Sequence, residues 1–335
     1  MDYSRQTMAK IDLTEWRILI AGKRPRRRRV HLYQVRRVLT GLLAALVAGS
    51  VSAQTFLLPA AGEDVIGQVK VVTARYENTL SDIARAYHVG YEEIVRANPQ
   101  VDPWLPGRGT RVIVPMQHIL PQAPRRGLVL NLPEMRLYYY PPPRRGKPAE
   151  VVTFPASIGR MDWSTPLGLT RVTAKLVNPA WYPPASVRAE HEAEGRELPY
   201  EVASGPDNPL GEYALQLAVP GYLIHGTDRP YGIGMRVTHG CIRLYPEDIE
   251  RLFKEVPVGT PMRIVNQPYK AGWLRGRLYF EAHPPLEESR GEDNNFTPAV
   301  RSVITATQAR PARVVWDRVV RHAVEARGIP LEISK

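Results

Sequence analysis

The chain has 335 residues, a formal net charge of +12, 44% hydrophobic residues, 32 prolines and one cysteine. This length exceeds the ~100–200 residues usual for one domain, and a lone cysteine excludes an intramolecular disulfide and any CxxC zinc or redox motif. The charge is unevenly spread: residues 1–37 carry eleven Lys or Arg against three Asp or Glu, a surplus of eight that leaves +4 for the remainder. So mildly basic a body gives no support to nucleic-acid binding and suits an anionic polymer or membrane surface.

Residues 1–53 read as a signal peptide. Arg26-Arg27-Arg28-Arg29 and Arg36-Arg37 form a basic region, an apolar run from Val38 to Gly49 follows, and Val51-Ser52-Ala53 offers a small-x-small cleavage site. The run is shorter than the ~20 apolar residues of a membrane span, although an uncleaved anchor stays open. The Arg-Arg pairs also fit twin-arginine export. The stretch before Arg26 is long for such a region and fits a start codon set too early. Export leaves an unpaired thiol in a compartment where thiols are oxidised, and retaining it there is easier to understand if it reacts. Past the leader, proline-rich joints at Pro121-Gln122-Ala123-Pro124 and Pro284-Pro285 suggest three folded segments.

Residues 70–115 predict a small βααβ unit. Val69, Val71 and Val72 make a short strand pattern, and Asn78-Thr79 can cap a helix with Leu80, Ile83, Ala84 and Tyr87 at helical spacing. Val89-Gly90 breaks the chain before a second helix with Ile94, Val95 and Ala97, and Arg111-Val112-Ile113-Val114-Pro115 closes with a strand. Asn78-Thr79-Leu80 with Ile83-Ala84, the turn from Tyr87 to Gly90, Ile94, Asn98-Pro99, and Gly109-Thr110 leading into the last strand together resemble a LysM module. The resemblance implies binding of N-acetylglucosamine-containing glycan strands, peptidoglycan in particular.

Residues 126–268 predict a mainly β domain. Strand patterns fall at 127–131, 136–140, 150–154, 168–173, 213–217 and 261–265, with Pro, Gly and Asn between them. One helix stands out, with Pro246 at its first position, Glu247 and Asp248 in its first turn, and Ile249, Leu252 and Phe253 on one face. Just before it lies Thr238-His239-Gly240-Cys241-Ile242-Arg243, with His225-Gly226-Thr227 one short loop upstream. A free thiol titrates near ~8.5 and needs a nearby base to become a nucleophile at neutral pH, which a glycine-flanked imidazole can supply. Two other readings stay open at this stage: a buried structural cysteine, and a zinc site drawing on His225, His239 and Cys241. The second is disfavoured by the cramped His-x-Cys pair and the missing fourth ligand.

The run from His225-Gly226-Thr227 through Tyr231–Leu244 to Pro246-Glu247-Asp248-Ile249 is similar to the signature of the L,D-transpeptidases, the YkuD-type catalytic domain. Ser164-Thr165-Pro166-Leu167-Gly168, Asn178-Pro179 with Trp181 and Pro183-Pro184, and Gly205–Gly211 add to the likeness, with Thr238 in place of the usual serine. The resemblance implies a β-sandwich with a helix after the nucleophile. Cys241 would attack the third stem residue of a tetrapeptide and His225 would activate it and protonate the departing D-Ala. The Gly226 carbonyl would orient His225, and amides around His239, Gly240 and Cys241 would form the oxyanion hole. Thr238 would keep the hydroxyl of the usual serine, His239 would hold the loop by hydrogen bonds, and Arg243 would brace the loop or meet a substrate carboxylate. No cofactor or metal is implied. The partners would be peptidoglycan stem peptides and glycan strands in the periplasm, with a diaminopimelate side chain, a lipoprotein lysine as in Braun lipoprotein attachment, a free D-amino acid or water as the acceptor, and carbapenems as inhibitors. An L,D-carboxypeptidase or cysteine peptidase would share the nucleophile, whereas a non-catalytic wall-binding protein would dispense with Cys241.

Trp181–Arg196, with its prolines and the Glu190-His191-Glu192 run, predicts a lid or a short solvated helix. In residues 269–335, Trp273, Leu278, Tyr279 and Phe280 predict a hairpin. Val315, Trp316, Val319, Val320 and Val324 predict an amphipathic helix whose stripe packs on the core.

Overall fold

The structure, a computed structural model, describes residues 53–289 and 296–335. Of the expected signal peptide only Ala53 falls among them, and no helix of the described residues is long and apolar enough to cross a membrane. The described residues form one compact unit.

The chain starts with β1 (Gln54–Leu57) and β2 (Val65–Gly67). A strand, two helices and a strand follow in the expected order: β3 (Lys70–Thr73), α1 (Leu80–Ala86), α2 (Tyr91–Ala97) and β4 (Arg111–Val114). Thr79 starts α1 through a reciprocal cap. Its Oγ1 accepts from Asp82 N at 3.1 Å, while Asp82 accepts from Thr79 N at 2.9 Å. The Glu93 carboxylate returns to Gly90 N at 2.8 Å at the start of α2. The apolar positions predicted on the two helices and the closing strand, Leu80, Ile83, Ala84, Ile94, Val112 and Val114, pack with Val89 into one small core. A short β5 (Gln117–Ile119) then pairs with β2.

The middle segment contributes β6 (Gly127–Asn131), β7 (Arg136–Tyr140), β8 (Glu150–Pro155), β9 (Ile158–Gly159) and β10 (Gly168–Val177). After α3 (Ala185–Ala193) come β11 (Tyr213–Leu217), β12 (Leu223–His225), β13 (Arg236–Thr238), β14 (Ile242–Arg243), α4 (Pro246–Glu255) and β15 (Pro261–Val265). Nine strands form one sheet in the order β1-β8-β7-β6-β15-β10-β11-β12-β14. The mainly β architecture is as expected, but its two layers are halves of this one sheet, not separate sheets. The reason is β10, which runs on to Val177: its first half pairs with β15 and its second with β11, with a register shift between Val172 and Ala174. Both halves, together with Ile249 and Leu252 of α4, contribute to a single core that includes Leu128, Leu137, Leu215 and Ile224.

The last segment holds β16 (Tyr269–Leu274) and β17 (Arg277–Ala282), the expected hairpin, then α5 (Thr297–Thr307), α6 (Trp316–Glu325) and β18 (Leu331–Glu332) on the edge of β17. The expected stripe on α6 is corrected in part: Val319 is buried, with Ala323, but Trp316, Val320 and Val324 are exposed. Successive helical residues lie ~100° apart, so a short helix resting on a sheet cannot bury Val319 and Val320 together.

Charges are buried where the three segments meet. The Arg136 guanidinium bonds both Glu93 oxygens at 2.8 and 2.6 Å and Thr153 Oγ1 at 3.0 Å. Lys270 Nζ lies 2.8 Å from Glu134 and 2.9 Å from Glu281, and donates to Ile119 O at 2.7 Å. Glu281 also accepts from Ile119 N at 2.6 Å and pairs with His283 at 2.7 Å. Burial alone would raise the Glu134 carboxyl, but the Lys270 ammonium beside it holds it below its ordinary value. Removing one partner of so buried a pair is expensive because the other charge stays dry. Glu93→Ala should therefore destabilise the protein by ~3–5 kcal/mol in urea unfolding, and replacing Glu93 and Arg136 together by Leu and Met should recover most of that loss.

Candidate active site

Strands β12 and β14 run parallel, with Ile224 level with Ile242 and His225 level with Arg243. Side chains alternate along a strand, so the face that presents His225 also presents Arg243 and, one residue before β14, Cys241. With strands ~4.8 Å apart and a rise of ~3.3 Å per residue, the Cα atoms of His225 and Cys241 are about 8 Å apart, within side-chain reach. The fold thus brings the two expected partners to one face.

His225 is only 4% exposed. Its Nδ1 lies 2.7 Å from Gly226 O; a carbonyl only accepts, so Nδ1 carries the hydrogen and Nε2 is left as the basic atom. Burial, helped by the Arg243 cation, lowers the imidazole pKa to about 3, against the pull of the Gly226, Leu210 and Pro209 carbonyls. The Cys241 thiol is half-buried and donates to Gly221 O at 3.6 Å. Burial raises its pKa, opposed by the Leu223 backbone and by Arg243. Both shifts favour the uncharged forms, thiol and imidazole.

The loop before the cysteine is fixed atom by atom. Thr238 Oγ1 donates to Cys241 O at 2.6 Å. Thr165 Oγ1 donates to Gly240 O at 2.8 Å and accepts from Gly159 N at 3.1 Å. Gly240 has φ +101°, and a Cβ there would come within 2.9 Å of the Tyr222 ring. The His239 ring is edge-on to Trp163 with centroids 5.2 Å apart, and its Nε2 lies 3.0 Å from Glu190 of α3. Glu190 also pairs with Arg160, so α3 of the expected lid segment is tied to the cysteine loop through one carboxylate. Arg243 exchanges two backbone hydrogen bonds with Ser157, at 2.8 and 3.0 Å, and burial lowers the pKa of its guanidinium.

Of the expected site residues, His225, Gly226, Thr238, His239, Gly240, Cys241 and Arg243 lie on β12, β13 and β14 and the segments joining them. Sequence reasoning missed Ser157, Tyr222 and the pairing role of Glu190. Glu190 sat in a visible charge run, but neither Ser157 nor Tyr222 belongs to any motif. For the zinc alternative, His225 Nδ1 and His239 Nε2 are engaged by Gly226 O and Glu190. Among the described residues, His118, Glu134 and Glu281 bring ligand atoms within 4.8 Å of one another. That set excludes Cys241 and already holds the Lys270 ammonium.

Residues 125–264 match the L,D-transpeptidase catalytic domain, YkuD. Over 87% of this chain and 92% of its relative, the sequence is 39% identical to "Probable L,D-transpeptidase YcfS" of Escherichia coli K12. It is 40% identical to "Probable L,D-transpeptidase YbiS" of the same organism over 84% of this chain and 93% of that one. A solved L,D-transpeptidase from Mycobacterium smegmatis aligns with 41% of this chain and 57% of its own at 22% identity, with a TM-score of 0.31. The chain belongs to the L,D-transpeptidase family. It is a cysteine-dependent peptidoglycan L,D-transpeptidase.

Two outcomes follow from the site's geometry. Gly240→Ala, strained by its positive φ and its contact with Tyr222, should lower the rate of acylation by ~100-fold or more per folded molecule, if the loop's donors are worth what oxyanion donors usually are; stopped-flow acylation checks it. A depressed imidazole pKa keeps the base form available below the ordinary ~6.5, so activity per folded molecule should show no acid limb near pH 6.5 between pH 8 and 5. The unfolded imidazole does protonate in that window, so stability should decline as pH falls below ~6.5 toward the folded value. An acid limb of kcat/KM centred at 6.5 would contradict the neutral, buried base.

Proposed function

We propose that Cys241 is the nucleophile and His225 its general base. The observation that carries this is the β12–β14 register, which sets the sole cysteine of the chain on one face with an imidazole oriented by Gly226 O. The thiol proton passes to His225 Nε2 as sulfur attacks the carbonyl of the third stem residue, and returns from there to the departing D-Ala amine. The product is a thioester on Cys241, which an amine acceptor then attacks to form a new amide. Backbone amides around His239, Gly240 and Cys241 stabilise the oxyanion, and Arg243 braces the site. A diaminopimelate side chain or a lipoprotein lysine is the acceptor.

Residues 70–115 act as a LysM module on the glycan strands. Support comes from aromatic and apolar side chains left in water: Tyr76 on the loop before α1, and Trp104 and Leu105 on the loop after α2. The Trp104 ring lies 6.1 Å from Tyr91, and a cavity of about 520 Å³ lined by Thr73–Glu77, Arg108 and Gly109 adjoins Tyr76. Exposed rings of this kind stack on sugar faces. The leader at 1–53 delivers the enzyme to the periplasm, where both polymers are found.

Incubation with purified disaccharide tetrapeptide, with and without a lysine-ended lipoprotein peptide, should release D-Ala and give an adduct on Cys241 by mass spectrometry. Cys241→Ala should abolish both and His225→Ala nearly so, because nucleophile and base act as a unit. A carbapenem adduct should map to the same residue. Near wild-type product formation by Cys241→Ala would sink the assignment. Tyr76→Ala with Trp104→Ala should weaken sedimentation with insoluble peptidoglycan while preserving D-Ala release from the soluble donor; unchanged sedimentation would reject the glycan role.

A further inference from the structure

The βααβ unit meets the catalytic domain on the loop that leads the chain into β13. Tyr91 N donates to Ile233 O at 2.9 Å and Glu92 N to Gly234 O at 3.3 Å. Ser81 Oγ reaches Tyr231 O at 3.5 Å. The amides of Tyr91 and Glu92 belong to the first turn of α2 and have no carbonyl of their own helix to bond, so the catalytic loop satisfies them. The approach is backbone to backbone: a Cβ on Gly90 would lie 2.9 Å from Gly234 Cα, and one on Gly234 would lie 2.4 Å from Gly90 Cα. Only a pair of glycines permits it.

The other side of the same loop is held by Ser157, which is fully buried. Its Oγ donates to Gly232 O at 2.7 Å and accepts from Met235 N at 3.5 Å. Its backbone makes the two bonds to Arg243 on β14 already described. Ile158 N continues to Met235 O at 3.2 Å and Arg160 N to Thr238 O at 3.1 Å. An unbroken series of hydrogen bonds thus runs from the start of α2, through residues 231–235 and Ser157, to both sides of Cys241. Alongside it, Arg85 forks onto Glu247 with two bonds of 3.0 Å, and His88 pairs with Asp248 at 2.8 Å, both on the helix that follows the nucleophile.

We propose that the βααβ unit is part of the catalytic apparatus. Through the Tyr91 amide and the Gly90–Gly234 contact, α2 is a positioning element that sets the 231–235 loop and with it the strand presenting Cys241, so the unit contributes to turnover of donors too small to reach its own surface. The proposal rests on Cys241 as nucleophile. It differs from glycan anchoring, which acts only when the polymer is bound.

Proline substitution isolates the effect. Tyr91 is the first residue of α2, where proline is well tolerated, and Gly90 before it already has the extended backbone that proline demands, with φ −80° and ψ 157°. Tyr91→Pro therefore removes the hydrogen bond and sets its ring Cδ against Ile233 O, which pushes the loop away, whereas Tyr91→Ala removes the tyrosine ring and keeps that bond. With the soluble disaccharide tetrapeptide, kcat of Tyr91→Pro should fall at least ~5-fold below that of Tyr91→Ala. KM and sedimentation with peptidoglycan should stay alike in the two. Gly90→Ala, which pushes on Gly234 without straining its own backbone, should lower kcat likewise, and it decides the matter if Tyr91→Pro proves unstable. Equal kcat in Tyr91→Pro and Tyr91→Ala, or wild-type kcat in Gly90→Ala, overturns the positioning role. A wild-type enzyme that forms no adduct on Cys241 would instead overturn the assignment of the nucleophile, so the two failures are distinguishable.

Discussion

The short parallel pairing of β12 with β14 is the constraint on which the site depends. Parallel neighbours cannot be joined by a tight turn and need a connection of a dozen residues or more. Here residues 226–241 supply it. That requirement explains why the imidazole and the thiol are far apart in sequence yet adjacent in space, and why the intervening chain can carry a 3-10 turn, β13 and the His239-Gly240 corner. A slip of one residue in this register would turn Cys241 to the opposite face. The ladder is too short to resist such a slip alone, and the Ser157–Arg243 bonds, the Thr165–Gly240 bond and the docked βααβ unit together pin it.

Burial decides the charge state of the pair. An imidazolium inside this pocket would be desolvated and would face the Arg243 cation, and a thiolate beside it would lose most of its water; both terms favour the uncharged forms. In the proposed reaction, charge develops only as sulfur attacks. The Gly226 carbonyl would then support the forming imidazolium through Nδ1, and the Arg243 cation would favour negative charge on the sulfur. Fixed dipoles and a fixed cation placed where charge will appear need no reorganisation during the reaction.

The same economy of polar groups holds the three segments together. Glu93, Arg136, Glu134, Lys270, Glu281 and His283 are all buried and come from all three. Arg136 pairs with Glu93 and Lys270 with Glu134 across segment boundaries, so the segments are interdependent and not beads on a flexible string. On the outer side, Glu190 connects α3 to His239 and Arg160, which couples the segment over the site to the loop beneath it.

Much of this was legible in the residues alone. Alternating apolar residues located β6, β7, β11 and β15, and Pro246 with its acidic first turn located α4, because local patterns of burial and capping are written in neighbouring positions. Cys241 and His225 stood out as candidates because glycines and polar residues around a lone thiol make little sense as core. The short strands β9, β12, β13 and β14 were not, since two or three residues carry no periodicity and pair only because the rest of the sheet presents an edge. Which carbonyl orients His225, that Glu190 reaches His239, that Ser157 bonds Arg243, and that the start of α2 rests on Gly234 were decided by the tertiary structure. Those contacts join residues tens of positions apart whose side chains, or bare amides, have no local signature. The sequence by itself determined the chemical groups and the elements that carry them; their register and electrostatic environment arise only when distant segments exclude water from one another.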